Sequence, residues 1–298
     1  MNHSHQSGNY NRSFAIGIVL NIAFVVIEAG YGVLAESLAL ISDAAHNLSD
    51  VASLLLALGA SVLARKAATE KRTYGWRKAT IMASIGSAVL LLVALGGITW
   101  EAIDRFSNPA PVQGATVIVV AAIGVVINTM TALLFIKGQK DDLNIKGAFL
   151  HMAADAGVSM GVVIAGILIL FKGWLWIDPV ISLAIVAIIL VVTWGLLKHS
   201  INYAMDAVPD SIDIPELKRY LTGFDTVESI HDLHVWPMST TETALTVHLV
   251  VNDTRLDNNF LRSLQQHLHD HFGIAHSTIQ VETSADEENC MLDNPTCI

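Results

Sequence analysis

Two pairs of side chains with identical spacing could together hold a metal ion. His46 and Asp50 lie four residues apart in LALISDAAHNLSDVASLLLALGASVLA, residues 38 to 64, and His151 and Asp155 repeat that spacing in FLHMAADAGVSM. Residues four apart share one face of an α-helix, so each pair presents one imidazole and one carboxylate in the same direction. Two imidazole nitrogens and two carboxylate oxygens form a ligand set that tetrahedral Zn²⁺ accepts.

Both pairs lie in segments that are apolar enough to cross a membrane. Of the 298 residues, 53% are hydrophobic and only 15% are charged, which indicates a membrane protein. A run of about 18 or more apolar residues is long enough to span a bilayer. Six such runs predict an all-α bundle of six membrane helices: residues 14–34, 38–64, 79–103, 112–136, 147–171 and 179–198.

Helix geometry predicts that the two pairs meet at one depth. With a rise of about 1.5 Å per residue, Asp50 and Asp155 lie about 12 Å and about 13.5 Å from the same face of the membrane core. A bound cation would offset the several kcal/mol that a bare carboxylate costs in lipid. Asp43 lies on the His46 face and is expected to line an exit or proton path. The competing interpretation is that the two histidines only hydrogen-bond neighbouring helices.

The chain changes character after Lys198. DIPELKRYLTGF and DNNFLRSLQQHLHDHF predict helices, and VESIHDLHVW, TALTVHLVV and HSTIQVE predict strands. The order αββαβ is typical of an open-faced α+β sandwich of the metallochaperone-like type, with both helices on one face of the sheet. A core of about 80 residues is small, which favours pairing with a second copy.

These patterns predict four parts of the chain. They are a cytosolic N-terminal segment (residues 1–12), a six-span transmembrane domain (13–200), a cytosolic metal-binding dimerisation domain (205–284) and a tail that contains the cysteines (285–298).

Charge separates the membrane part from the tail. Residues 199–298 hold sixteen of the 27 acidic residues, four of the 17 basic ones and eight of the twelve histidines. A nucleic-acid surface needs clustered Lys and Arg, so this tail is expected to bind cations and not nucleic acid. Basic residues concentrate on one side of the predicted spans, six of them between residues 65 and 78, which predicts that both termini are cytoplasmic.

Several motifs resemble those of one transporter family. SDAAHNLSD with HMAADAGVS, then RTYGWRKA, IDPVISL and the HDLHVW…HL…HSTIQVE tail, resemble the cation diffusion facilitator family. The likeness is to its bacterial zinc-, cobalt- and cadmium-exporting branch, which is related to animal vesicular zinc transporters. It implies a homodimer in the bacterial plasma (inner) membrane that exports zinc from the cytosol in exchange for protons, with zinc as both substrate and cytosolic ligand and no organic cofactor.

The resemblance also implies roles for residues outside the spans. Lys78 and Asp206 match positions where the family joins its two parts by an ion pair, so they are candidates for a hinge. Candidate zinc ligands in the cytosolic part are His234, His248, Glu282, Cys290, Cys297, His276, His231, His3 and His5. If Cys290 and Cys297 are cytosolic, they lie in a reducing compartment, where a structural disulfide is not expected.

Other function classes fit the sequence less well. A carrier of organic cations is expected to have an aromatic-lined cavity, whereas only 7% of the residues are aromatic. A membrane-anchored zinc sensor would need no ligands inside the membrane. The His-Glu-x2-His helix of a metalloprotease and the Gly-x4-Gly-Lys phosphate loop do not occur, so we expect a gradient-driven transporter and no enzyme.

Overall fold

A computed structural model describes residues 22–136, 143–252 and 258–283. The chain divides into two units. The described residues of the first unit are 22–56, 86–136 and 143–196, and those of the second are 57–85, 197–252 and 258–283. His3, His5, Cys290 and Cys297 lie outside the described residues, as does the side chain of Asp50, although its backbone is part of a helix.

The predicted membrane helices form where the apolar runs lie. They are α1 (Ile22–Leu34), α2 (Leu38–Ala64), α3 (Ala79–Ser107), α4 (Gly114–Phe135), α5 (Leu143–Lys172) and α6 (Ile177–Ala204). Within the described residues, α3 to α6 are each long and apolar enough to cross a membrane. Helix α2 has 27 residues, about 40 Å at 1.5 Å per residue, which also exceeds the core of about 30 Å. The prediction of a membrane helical bundle is confirmed.

Small residues allow α4 and α5 to approach closely in the first unit. A Cβ atom on Gly166 would lie 2.8 Å from the Ile118 Cγ1 and 3.2 Å from the carbonyl oxygen of Gly114, so neither contact leaves room for a side chain. Apolar side chains from α2 to α6, among them Leu40, Leu95 and Val162, fill the surrounding core. Helix α5, which carries His151 and Asp155, is therefore held firmly against α4.

The start of α2 is fixed by a buried carboxylate from α6. Asp178 is fully buried and accepts hydrogen bonds from the Ser37 hydroxyl (2.5 Å) and from the backbone amides of Leu38 (2.7 Å) and Ala39 (3.3 Å). The first amides of a helix have no partner inside the helix, and a negative charge near them is favourable. Asp178 thus positions the helix that carries His46.

The second unit contains the predicted αββαβ arrangement. Its elements are α7 (Ile214–Leu221), β1 (Val227–Pro237), β2 (Thr243–Val251), α8 (Asn258–Phe272) and β3 (Ile274–Thr283). The sheet order is β1-β2-β3, with β1 antiparallel and β3 parallel to the central β2. Asp213 caps α7 by accepting a hydrogen bond from the Glu216 amide, and Pro215 lies in the first turn, where its missing N–H costs nothing.

The two faces of the sheet have different neighbours. Leu245, Val247 and Leu249 of β2 pack in one core with Leu217 of α7 and Leu264 of α8. Because successive strand residues point to opposite faces, His248 lies on the face that does not carry these helices. The helices therefore cover one face and leave the other for polar side chains.

Candidate metal centres

The carboxylate of Asp155 lies between two imidazoles in the first unit. Its Oδ1 is 3.5 Å from the Nε2 of His46, and its Oδ2 is 3.6 Å from the Nε2 of His151. The two imidazole rings face each other edge-on, with 6.0 Å between their centroids. The Asp155 residue is 1% exposed. Three of the four ligands predicted in the membrane part therefore lie together, with the buried carboxylate between the two imidazoles.

The contacts between α2 and α5 also fix the level of residue 50. His46 is next to Asp155, and one turn away Asp43 accepts a hydrogen bond from the Ser159 hydroxyl at 2.9 Å. The two helices are thus antiparallel here, because residue numbers fall along α2 as they rise along α5. One turn in the other direction, the backbone of residue 50 comes to the level of His151, which is about one helical turn from the level of Asp155 that the sequence predicts for it.

A cavity of about 240 Å³ adjoins this cluster. His46, His151 and Asp155 line it, together with Ser49 and Thr193 and with aliphatic side chains from α3, α5 and α6. An ion in such a place exchanges its hydration shell for fixed protein ligands in apolar surroundings. That arrangement suits a small cation more than a large organic one.

A second buried polar group lies beside the cluster, and its residues are not among the predicted metal ligands. The amide of Asn47 donates a hydrogen bond of 3.4 Å to the Glu28 carboxylate, and both residues are fully buried. The sequence did signal a functional role for both residues, because each occurs inside an apolar run, where a polar side chain costs free energy. The spacing to His46 could not reveal that Asn47 faces α1.

A second cluster of metal-ligand type lies on the sheet. His231, His248 and Glu282 each offer a ligand atom, and these atoms lie within 4.8 Å of one another. The His248 Nδ1 is 2.8 Å from a Glu282 carboxylate oxygen and 3.2 Å from the His231 Nε2. Glu282 pairs with Val250 on the neighbouring strand, two residues from His248, so the two side chains share a face. All three side chains are at most 10% exposed.

The cross-strand neighbour of His248 is His231 and not His234. An irregularity of β1 lies between these positions, where Asp232 has a positive φ of 49°. His234 therefore lies opposite Thr246, and its Nε2 is 2.8 Å from the Asp232 carboxylate. The other Asp232 oxygen is 3.5 Å from the His248 Nε2, so Asp232 bridges both histidines. Sequence reasoning missed this residue.

The remaining predicted residues lie elsewhere. His276 is exposed on β3 with its ring edge-on to Tyr74, 5.8 Å between centroids, and does not join the sheet cluster. The Lys78 Nζ lies 2.7 Å from an Asp206 oxygen, and both side chains are about half exposed.

Apolar helices enclose imidazole and carboxylate groups, and the sheet of the small α+β domain carries a further cluster of His and Glu. These features define a membrane protein that interacts with metal cations. The chain belongs to the cation efflux family. Residues 14–203 match the family described as the cation efflux transmembrane domain, and residues 209–284 match the cytoplasmic domain of cation efflux proteins. Members of this family are transporters, so the chain is an integral membrane transporter and not an enzyme.

Curated relatives align over nearly the whole chain. The cadmium, cobalt and zinc/H⁺-K⁺ antiporter of Bacillus subtilis (strain 168) is 38% identical over 302 residues, which cover 99% of this chain and 96% of the relative. The zinc transporter ZitB of Escherichia coli (strain K12) is 36% identical over 287 residues, 94% and 91% of the two chains.

A solved structure also shares sequence with this chain. It is the metal-bound C-terminal domain of the CzcD transporter from Cupriavidus metallidurans, with 38% identity, and the match covers 24% of this chain and 99% of that one. The TM-score of this match is 0.22.

Proposed function

We propose that this protein exports zinc from the cytosol in exchange for protons, with His46, Asp50, His151 and Asp155 as the ligands of the transported ion. The relatives are named as antiporters or transporters of zinc, and one of them also of cadmium and cobalt. Imidazole nitrogen suits Zn²⁺ better than it suits Mg²⁺ or Ca²⁺, which favours zinc among the divalent cations of the cell.

The observation that carries this proposal is the position of Asp155. A carboxylate that is 1% exposed, inside an apolar helical unit and with an imidazole 3.5–3.6 Å from each oxygen, has little use as a packing group. An unpaired charge at this place would cost several kcal/mol, and a cation held by both helices removes that cost.

Coupling to protons follows from the chemistry of these ligands. Imidazole binds zinc only when it is neutral, and a ligating carboxylate must be ionised, so zinc and protons compete for the same atoms. Protons that enter from the outer side would release the metal there. The same site would then carry protons inward after it has delivered zinc outward.

The placement of the protein in the cell is part of the proposal. We place it in the bacterial plasma membrane, since these relatives are bacterial, with both termini in the cytoplasm because the basic residues concentrate on one side. The transmembrane domain covers residues 13–200, between the segment 1–12 and the domain 205–284, which is followed by the tail 285–298. Lys78 and Asp206 form a hinge between the membrane and cytosolic parts.

The cytosolic domain pairs two copies of the chain and binds regulatory zinc. His231, His248 and Glu282 are the central ligands of that zinc, because their ligand atoms are already within 4.8 Å of one another. Further ligands proposed for the same domain are His234, His276, Cys290, Cys297, His3 and His5.

Uptake into vesicles tests the transport site. Full-length protein is reconstituted into vesicles that contain a zinc-sensitive dye, and a pH gradient with the acidic side inside is imposed. Protein inserted with its cytoplasmic side outward should then concentrate zinc inside. Loss of a residue that only supports a metal ligand already lowers metal affinity or activity by up to about a hundredfold. His46→Ala and Asp155→Asn remove ligands themselves, so they should lower uptake by at least that factor.

The matched control is Asp104→Asn, which removes an exposed carboxylate at the end of α3. It should transport like the parent. Parent-like uptake by both site variants would refute the proposed ligands. Repeating the assay with a K⁺ gradient tests whether the K⁺ named for the Bacillus protein is also exchanged here.

A further inference from the structure

The second unit contains a large polar cavity whose lining includes none of the proposed ligands of the transported ion. Its volume is about 690 Å³, and its wall is formed by residues of the α2–α3 loop, the β1–β2 turn and the start of β3. Three basic side chains line it, those of Arg65, Lys66 and Arg77. Hydroxyl groups line it too, and they belong to Ser61, Thr73, Tyr74, Thr80, Ser239 and Thr241.

Positive charge is concentrated in the loop that contributes to this cavity. Residues 65–78 hold six basic residues and a single acid, whereas the net charge of the whole chain is −10, and three of the six line the cavity. In the wall, Arg77 forms an ion pair with Glu242. The structure gives Arg65 and Lys66 no ion pair with any described residue. Two adjacent cations thus remain to attract an anion into a concave space.

The walls are joined by specific contacts, so the cavity is formed in advance of binding. The Arg77–Glu242 ion pair connects the α2–α3 loop to the β1–β2 turn. The Thr240 amide donates a hydrogen bond of 3.1 Å to the Thr80 hydroxyl across the same gap. Preformed walls lower the entropy that a ligand loses on binding.

Guanidinium, ammonium and hydroxyl groups are the donors that proteins use for phosphate oxygens. The cavity lies at the end of α2 and the start of α3, which are both apolar helices. Basic pockets at the ends of membrane helices bind the head groups of acidic lipids. We propose that this cavity binds a phosphoryl group, either in the head group of an anionic phospholipid or in a free phosphate, through Arg65 and Lys66.

Native mass spectrometry of the full-length protein tests the lipid source. The protein is released from nanodiscs that contain phosphatidylcholine with or without phosphatidylglycerol. The parent should retain phosphatidylglycerol. Each basic side chain near an anionic lipid contributes about 1 kcal/mol, so R65Q/K66Q should weaken retention about thirtyfold.

The charge-matched control is K71Q/K218Q, which removes two exposed lysines outside this cavity. It should retain phosphatidylglycerol like the parent, and both double variants should keep the parent's melting temperature. Calorimetric titration with inorganic phosphate tests the second source. Phosphate binding that R65Q/K66Q abolishes, without lipid retention, would identify a free phosphate as the ligand.

Two outcomes would overturn the proposal. One is equal loss in both double variants, which would indicate general attraction between the loop and anionic surfaces. The other is the absence of both lipid retention and phosphate binding in the parent protein. Neither readout depends on zinc transport, so failure here would leave the proposed function intact.

Discussion

Asp178 accepts a hydrogen bond from the backbone amide of Leu38, with 2.7 Å between the two atoms, and so ties the start of α6 to the start of α2. Asp178 also accepts from Ser37 and Ala39, and the Arg105 guanidinium lies 3.7 Å away. In an apolar environment these amides would otherwise have no partner, because no water replaces the protein acceptor. The depth of His46 in the membrane therefore depends on a carboxylate that touches no metal.

Asp178→Asn is expected to destabilise the protein. The amide keeps one acceptor oxygen but loses the charge and the second acceptor. At least one buried donor at the start of α2 is therefore left without a partner, which costs about 1–3 kcal/mol of the free energy of unfolding. Thermal unfolding of the purified protein in detergent measures the change. Ser182→Ala, one turn along α6 and also buried, is the control, because the Ser182 hydroxyl has no partner among the described residues. Equal melting temperatures for the two variants would contradict the capping role.

Asp232 combines an unusual backbone conformation with two histidine contacts, and two substitutions separate these features. Its positive φ of 49° costs most residues about 1–2 kcal/mol, whereas Asn tolerates it well. Asp232→Asn should therefore keep the stability but weaken zinc binding at His248 about tenfold, as expected when an outer carboxylate is lost. Asp232→Ala should lose both stability and affinity.

Zinc titration and equilibrium unfolding measure the two effects of Asp232. Both are done in an Asp155→Asn background, so that the titration reports the sheet cluster without the membrane site. If Asp232→Asn binds zinc as tightly as the parent, the contact between Asp232 and His248 does not support the metal.

Zinc is expected to stabilise the sheet domain through Glu282. At a zinc concentration a hundred times the dissociation constant, binding adds about 2.7 kcal/mol to the free energy of unfolding, and a chelator removes it. Zinc binding should also slow the hydrogen exchange of the backbone amides around His231 and His248. Glu282→Gln should abolish most of this response, since it removes a carboxylate 2.8 Å from the His248 Nδ1. Glu216→Gln, exposed on α7, serves as the control and should respond to zinc like the parent.

The features that the sequence predicted well are local ones. The spacing of His151 and Asp155 is a property of one helix, and the αββαβ order follows from segments that each form within about fifteen residues. The relative level of the two helices could be calculated only to about one helical turn, because it rests on helix rise and membrane thickness alone. The calculation places Asp50 level with Asp155, whereas the structure places His46 next to Asp155.

The features that the sequence did not reveal depend on contacts between distant segments. In a regular strand, His231 and His234 would point to opposite faces, but the irregularity at Asp232 places both opposite residues of one face of β2. A positive φ at a non-glycine residue has no clear sequence signature. Asp178 caps a helix whose first residues lie 140 positions away in the sequence, and no residue near Leu38 indicates this contact.

The Lys78–Asp206 ion pair makes a final prediction, which distinguishes a hinge from an ordinary surface contact. Both side chains are about half exposed, so Lys78→Gln and Asp206→Asn should each cost less than about 1 kcal/mol of stability. Asn is the suitable replacement because Asp206 has a positive φ of 60°. If the pair is the hinge, each variant should slow zinc uptake several-fold, and the double variant should be no slower than either one. Lys71→Gln, in the same loop, controls for loss of charge. Uptake at the parent rate in both single variants would show that the pair is only a surface contact.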